Sequence, residues 1–264
     1  MLLALLTAFT CGASAQSVSL CMIDVGKGDA ILVFVDERTY LIDAGKSSAW
    51  DSVEAALARF NVTRLDGVFL THTDKDHSGG LKKLAKSDIE IDAWYASSLC
   101  ATDKDDNPIY SAAKKRGQKV TRLSAGDVVD DLFYVLAPLS LDEYNEDNNS
   151  LVMLLKTSRG NVLLVGDMEA EEELELIESG VDLSCTVFKV PNHGDDDVCV
   201  TDMIDNLGAK AALISTDPYD KPGTPDEWLV QRLKWAGMSV YSTYTCGDIY
   251  VELQDGQAVV ETVR

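Results

Sequence analysis

The sequence predicts an α+β domain in which two packed β-sheets are flanked by helices. Three observations carry that expectation. Short β-like runs recur from residue 18 to the C-terminus, and segments with helical spacing are interleaved with them in both halves. Two of the runs rhyme: LIDAG around Asp43 and LLVGD around Asp167 each end a strand on an aspartate close to a glycine. No Pro- or Ser-rich linker divides the halves, so residues 16–264 read as one domain. With 264 residues, 46% of them apolar, the chain can bury a sizeable core.

The elements follow in order. SLCMIDV (19–25), AILVFVD (30–36) and TYLIDAG (39–45) read as strands, the last two joined by a hairpin turn at Asp36, Glu37 and Arg38. Val53, Ala56, Leu57 and Phe60 recur at helical spacing. Residues 67–70 read as a strand, and after Gly79-Gly80 the spacing of Leu81, Leu84 and Ala85 predicts a short helix. Residues 89–96 read as one strand, 101–108 as a polar loop and 109–116 as a helix. Short elements fill 120–136, and 142–149 is a polar, acidic loop. Strands at 151–155 and 161–165 meet at Gly160-Asn161 as a hairpin. An acidic helix is expected over 169–178, stopped by Gly180, with its first-turn acids suited to the helix dipole. Strands follow at 186–190 and 211–214. The helix at 225–236, with Leu229, Leu233 and Ala236 on one face, is expected to be capped by Thr224 and to start at Pro225. Strands at 240–242, 248–253 and 258–262 close the chain.

Charge and termini bound the function. A net charge of −21 repels nucleic acid and anionic membrane at long range, so a polyanionic substrate requires a local positive centre. A bound metal could supply one. Residues 1–15 combine an apolar run, Leu2 to Phe9, with an A-x-A-like cleavage site at Ala13-Ser14-Ala15. That pattern resembles a secretory signal, which places the mature chain outside the cell or on its surface. A lipoprotein-type anchor at Cys11 is the other reading of the same residues. No other segment has the ~18 uninterrupted apolar residues of a membrane span. The six cysteines form no C-x-x-C pair, and cleavage after Ala15 leaves an odd number, so neither a disulfide framework nor a zinc–thiolate site is expected.

The chemistry concentrates in THTDKDHSGG (71–80), which holds two of the three histidines in the chain. Imidazole nitrogen and carboxylate oxygen are ligands for borderline divalent metals such as zinc. His72-x-Asp74-x-Asp76-His77 follows a strand and reads as a loop. In extended form, alternation puts His72, Asp74 and Asp76 on one side, with His77 brought round by the turn at Gly79. Asp167 is either a carboxylate shared by two metals or a helix cap for the residues after it. His193, on Pro191-Asn192-His193-Gly194, is either a ligand or a hydrogen-bonded turn histidine.

These residues resemble the metallo-β-lactamase superfamily in its ComEC-like branch, whose founding members carry the nuclease-like domain of DNA-uptake machinery. The resemblance runs from about residue 19 to about 251. It is carried by MIDVGKGDA (22–30), LIDAG (41–45), THTDKDHSGG, NNSLVMLL (148–155), LLVGD (163–167), FKVPNHG (188–194) and the ending AGMSVYST…GDI. The superfamily's H-x-H-x-D-H becomes H-x-D-x-D-H in this branch, as at Asp74. The resemblance implies a four-layer αββα sandwich, two mixed β-sheets flanked by helices, with one or two metal ions at one edge. It implies His72, Asp74, Asp76 and His77 as ligands, Asp167 as the bridging carboxylate and His193 from the later histidine motif. The family has two adjacent histidines where this chain has Asn192-His193, and a G-H-P where it has Gly223-Thr224-Pro225. Asn148 lies near a family asparagine motif.

The resulting expectation is a secreted metal-dependent hydrolase using Zn²⁺ or Mn²⁺, with a phosphodiester substrate: nucleic acid, a cell-surface group or a small molecule. A metal-activated hydroxide is the expected nucleophile. Asp76, His77 and His193 are the residues expected to act on the reaction. Asp76 orients the water, and His193, a tyrosine or water protonates the leaving group. No Gly-x-Ser-x-Gly elbow or P-loop competes. The alternative, motivated by Asn192 and Thr224, is a non-catalytic surface or binding protein with a degenerate metal site.

Overall fold

The computed structural model describes residues 16–100 and 107–264. The expected leader over residues 1–15 and most of the expected polar loop at 101–108 lie outside the described residues.

Two large sheets form. Edge to edge, the first runs Gln257–Thr262, Ile249–Gln254, Val18–Met22, Ile31–Val35, Arg38–Ile42, Gly67–Leu70, Trp94–Ser97 and Val120–Leu123. The second runs Ser239–Ser242, Ala211–Ile214, Val187–Lys189, Val162–Leu164, Val152–Leu155, Phe133–Ala137 and Val128–Val129. Both are mixed. In the first, pairing is antiparallel up to Arg38–Ile42 and parallel beyond it. In the second, pairing is parallel from Ser239–Ser242 to Val162–Leu164 and antiparallel beyond it.

Strand alternation makes the layers. Val18, Leu20 and Met22 point between the sheets and meet Phe133, Val135, Met153 and Leu155 from the opposite sheet. Cys21 and Ile23, one residue out of phase, point outward to the helix Trp50–Arg59 and its neighbours. On the far side, Leu154, Leu163 and Phe188 pack beneath Ala170–Ser179, Thr201–Leu207 and Glu227–Trp235. Helix, sheet, sheet, helix is the αββα sandwich expected. The described cysteines are all free, and Cys21, Cys100, Cys185 and Cys199 are buried. Among the described residues no helix is long and apolar enough to cross a membrane.

Three local expectations are corrected. Residues 89–96 are two strands: Glu90–Ile91 pairs with Arg64–Leu65 in its own small ladder, and only Trp94–Ser97 joins the large sheet. The helix expected at 225–236 spans Glu227–Trp235, and its cap is Asp226, whose side chain accepts from Leu229 N. Thr224 is buried instead, with its hydroxyl 2.7 Å from Thr216 Oγ1 and donating to Lys221 O. The ligand stretch is not extended throughout: Lys75–Ser78 is a helical turn, which alters the grouping of its side chains.

Candidate metal centre

The ligand stretch leaves the C-terminal end of Gly67–Leu70, a strand buried throughout. Its position is held by close backbone approach. A Cβ on Gly80 would lie 2.1 Å from Ala44 O, so only glycine lets the segment sit against the end of Arg38–Ile42. Ala44 N donates to His77 O and Gly80 N to Gly45 O, fixing the turn. Leu151 N donates to Thr71 O and joins it to the other sheet.

The side chains then fall into two groups. Asp76, His77, Asp167 and His193 each offer one ligand atom, all within 4.8 Å of one another. His193 Nε2 lies 3.0 Å from Asp167 Oδ2, 3.5 Å from Asp76 Oδ2 and 3.4 Å from His77 Nε2. His77 Nε2 is 3.2 Å from Asp167 Oδ2. The second group is His72, Asp74 and Asp147. His72 Nε2 is 3.6 Å from Asp147 Oδ1 and 4.0 Å from Asp167 Oδ2, so Asp167 stands between the groups.

The grouping corrects two expectations. Asp76 does not share a side with His72 and Asp74. The helical turn carries it, with His77, to His193. Asp147, which is not among the expected ligands, stands with His72 and Asp74 in the second group. Asn148 is occupied structurally: its Nδ2 donates to Asp142 and its Oδ1 accepts from Glu169 N. The available signal was the acid in the run NEDNNS just before a buried strand, but nothing in sequence marks which of its polar residues faces His72. Asp167 is not a helix cap, since Ala170–Ser179 begins after Glu169. Asn192 and Thr224 stand outside both groups: Asn192 bonds Glu169 and Lys221.

Both imidazoles of the first group have their far nitrogen engaged. His193 Nδ1 lies 2.8 Å from Ser215 O, a carbonyl that can only accept, so Nδ1 carries a proton and Nε2 is the atom turned toward the centre. His77 Nδ1 lies 2.7 Å from Asp43 Oδ2. Asp43 is itself locked, accepting from Thr71 N at 2.8 Å and Thr71 Oγ1 at 2.7 Å. A carboxylate behind a ligating imidazole is the usual outer support of a metal site. Below lies Lys189, fully buried, 2.5 Å from Asp29 Oδ2, 2.9 Å from Gly166 O and 3.6 Å from Asp167 Oδ1. Asp29 and Lys189, which lie within the motifs MIDVGKGDA and FKVPNHG, thus border the candidate centre without being among the expected ligands.

The donors fit a divalent cation. His72 Nε2 and Asp167 Oδ1 are buried without a hydrogen-bond partner, an arrangement that is costly unless something else binds them. Burial, helped by His77, pushes the His72 imidazole down to about 3, which keeps it neutral and able to ligate. Burial, with Asp167 and Asp74 nearby, pushes the Asp147 carboxyl up to about 7. Burial and then Asp76 raise Asp74 as well. Burial also pushes Asp76 up, but His193, His77 and Lys27 outweigh it and hold its carboxyl well below the usual range. Burial works against charge on His77 and His193, but Asp167 beside them outweighs it and raises both imidazoles above the ordinary value, so a metal would take the place of a proton on each. Crowded carboxylates and imidazole nitrogens form a mixed N/O set suited to zinc or manganese.

An αββα sandwich with a His/Asp centre where parallel strands end is the architecture of a metal-dependent hydrolase. The profile of the metallo-beta-lactamase superfamily matches residues 23–216, and the chain belongs to that superfamily. It is 28% identical to the ComE operon protein 3 of Bacillus subtilis, a similarity covering 93% of this chain and 34% of that protein. The chain spans about a third of the length of the curated relatives it matches. Among solved structures, Tm1679, a metal-dependent hydrolase of the beta-lactamase superfamily, superposes with a TM-score of 0.61 at 13% identity, covering 90% of this chain and 100% of the other. A diphosphatase of the PhnP family superposes with a TM-score of 0.55 at 12% identity, covering 90% of this chain and 99% of the other. At such identities these likenesses establish the fold.

Proposed function

We propose that the chain is a secreted or cell-surface metal-dependent phosphodiesterase. The observation that carries the reading is the pair of ligand groups meeting at Asp167. His77, Asp76 and His193 would hold one ion, His72, Asp74 and Asp147 a second, with Asp167 between them. Bound Zn²⁺ or Mn²⁺ would supply Lewis acidity and make water a nucleophile near neutral pH. The chain's own residues would do the rest. Asp43 and Ser215 fix the two imidazoles with Nε2 toward the centre. Asp76, at the partly open side of the first group, orients the attacking water. Similarity to a competence-operon protein and to a diphosphatase fold favours a phosphoester over an acyl substrate. The net charge of −21 favours a short or surface-bound phosphodiester over long DNA. Secretion rests on the leader-like residues 1–15.

The degenerate-site alternative rested on Asn192 and Thr224. Both ligand groups close without either residue, which favours the enzyme. The test is metal content together with hydrolysis of a bis-aryl phosphodiester and single-stranded DNA in Zn²⁺ and Mn²⁺. Bound metal and turnover abolished by His72→Ala support the reading. Metal-free, inactive protein under every metal overturns it.

A further inference from the structure

A substrate anion approaching this centre meets a chain of charge −21 and a mouth lined by Asp74, Asp76 and Asp147. The structure brings one ammonium to that mouth on a turn built with little slack. Lys27 lies between Gly26 and Gly28, on the connection from Val18–Met22 to Ile31–Val35. Gly28 has φ 137°, and a Cβ there would lie 2.4 Å from Asp76 O, so the turn rests directly on the backbone of the ligand stretch. Asp29 N donates to Asp76 O at 3.2 Å, and the Ser215 hydroxyl donates to Gly28 O. These contacts set the Lys27 ammonium on Asp76 Oδ2, one residue away from His193.

Lys27 is not consumed by its contacts. An ammonium has three donors, and among the described residues Asp76 is the only hydrogen-bond partner of Lys27 Nζ. Its side chain is 23% exposed, so it borders both the centre and solvent. Its neighbour Lys46 is placed differently. Lys46 pairs with Asp220, whose carboxylate also faces Lys27 N, and so ties the 26–28 turn to the loop after Ala211–Ile214.

We infer that Lys27 is a substrate-contacting residue, whose ammonium donates to a non-bridging oxygen of the substrate's anionic phosphoryl group while still bordering Asp76. The inference rests on the phosphodiesterase reading and names how an acidic protein admits an anionic substrate. Charge-assisted hydrogen bonds of this kind give about 10–100-fold in affinity when removed.

The experiment uses metal-loaded protein with inorganic phosphate as the binding probe, measured by calorimetry. Hydrolysis of a bis-aryl phosphodiester and metal content per chain are measured alongside. Lys27→Gln is expected to weaken phosphate binding and lower kcat/KM about 10–100-fold, with bound metal unchanged. Lys27→Arg is expected to restore much of both. Lys82→Gln removes the same charge from an exposed position on Leu81–Leu84 and is expected to leave phosphate binding close to wild type. Wild-type phosphate affinity in Lys27→Gln overturns the inference. So does an equal loss in Lys82→Gln, which would mark a bulk charge effect, or loss of metal from Lys27→Gln, which would mark a purely structural role. Wild-type protein that binds metal but no phosphate also overturns it. A wild type that binds phosphate without hydrolysing the diester refutes the phosphodiesterase reading alone, and the phosphate comparison still decides the role of Lys27.

Discussion

Asp43 and Asp167 occupy corresponding points of the two sheets and do different work. Asp43 directly follows Arg38–Ile42, the strand at which the first sheet changes from antiparallel to parallel pairing. Asp167 lies just beyond Val162–Leu164, the strand at which the second sheet makes the same change. In each sheet the next parallel strand delivers histidine: Gly67–Leu70 leads to His72 and His77, and Val187–Lys189 leads to His193. Strand ends at such a switch leave a crevice in which ligands bind. Yet Asp43 is fully enclosed by Thr71 and His77, whereas Asp167 keeps a buried oxygen without a hydrogen bond. The first half carries four ligand-type residues on one stretch, so its switch aspartate serves as support behind them. The second half contributes a single histidine, and its switch aspartate stands in the centre itself.

That contrast is breakable by mutation. The largest expected effect is at Asp167. Asp167→Ala removes the carboxylate between both groups, so metal content should fall below one ion per chain and activity by more than the ~10–100-fold typical of outer supports. Asp43→Asn should be milder. It keeps shape but weakens the anchor of His77, and should cost metal affinity about 10–100-fold with the fold intact. Titration with a metal chelator, read with circular dichroism, separates the two. Equal losses at the two positions would mean that Asp43 is more than a support.

Legibility in the sequence followed the same contrast. The structure brings His72, Asp74, Asp76, His77, Asp167 and His193 together, and the sequence pointed to them because histidine is scarce and stands at strand ends, where ligand loops form. The four-layer architecture was readable from strand runs alternating with helical spacing and from the family motifs. Asp147 and Lys189 were not, because their roles come from a partner far away in sequence: His72 for the first, Asp29 and Gly166 for the second. The parting of Asp76 from His72 was hidden for another reason. A four-residue helical turn at Lys75–Ser78 is too short to show a period, and it rotates Asp76 away from the side that strand alternation assigns.

The outer layers sharpen the comparison through stability. Over the first sheet, Trp50–Arg59 buries Trp50, Val53, Ala56 and Leu57. Over the second, Ala170–Ser179 buries Glu172, Glu173 and Leu176. Neither carboxylate oxygen of Glu172 has a hydrogen-bond partner, and burial, reinforced by Glu175 and Asp142, pushes its carboxyl up to about 10. Between the ordinary 4.5 and that value the folded chain holds a proton that the unfolded chain has released. Stability from this group is therefore full at low pH and declines as pH rises through that window. Burial pushes Glu173 up to about 7, which adds a decline of the same sign below neutrality. Glu172→Gln mimics the protonated form, so its Tm should exceed wild type by on the order of 5 °C at pH 8 and match it near pH 5. Parallel Tm curves for the two proteins across pH would refute the buried-proton account.

The smallest expected effects lie at two helix caps, one over each sheet. Asn107 accepts from Ile109 N at 3.2 Å, ahead of Pro108–Lys115. Asp226 accepts from Leu229 N at 2.7 Å, ahead of Glu227–Trp235. Losing a cap costs about 1 kcal/mol, or about 2–4 °C in Tm for a domain of this size. Asp226→Ala should cost more than Asn107→Ala, because its acceptor is closer and a carboxylate also complements the helix dipole. Metal content should stay at wild type in Asp226→Ala. The chain beside His193 is held there by the backbone bond from Asp226 N to Gly194 O, which alanine preserves. Metal loss in Asp226→Ala would show that the side chain, and not that backbone bond, sets the position of His193.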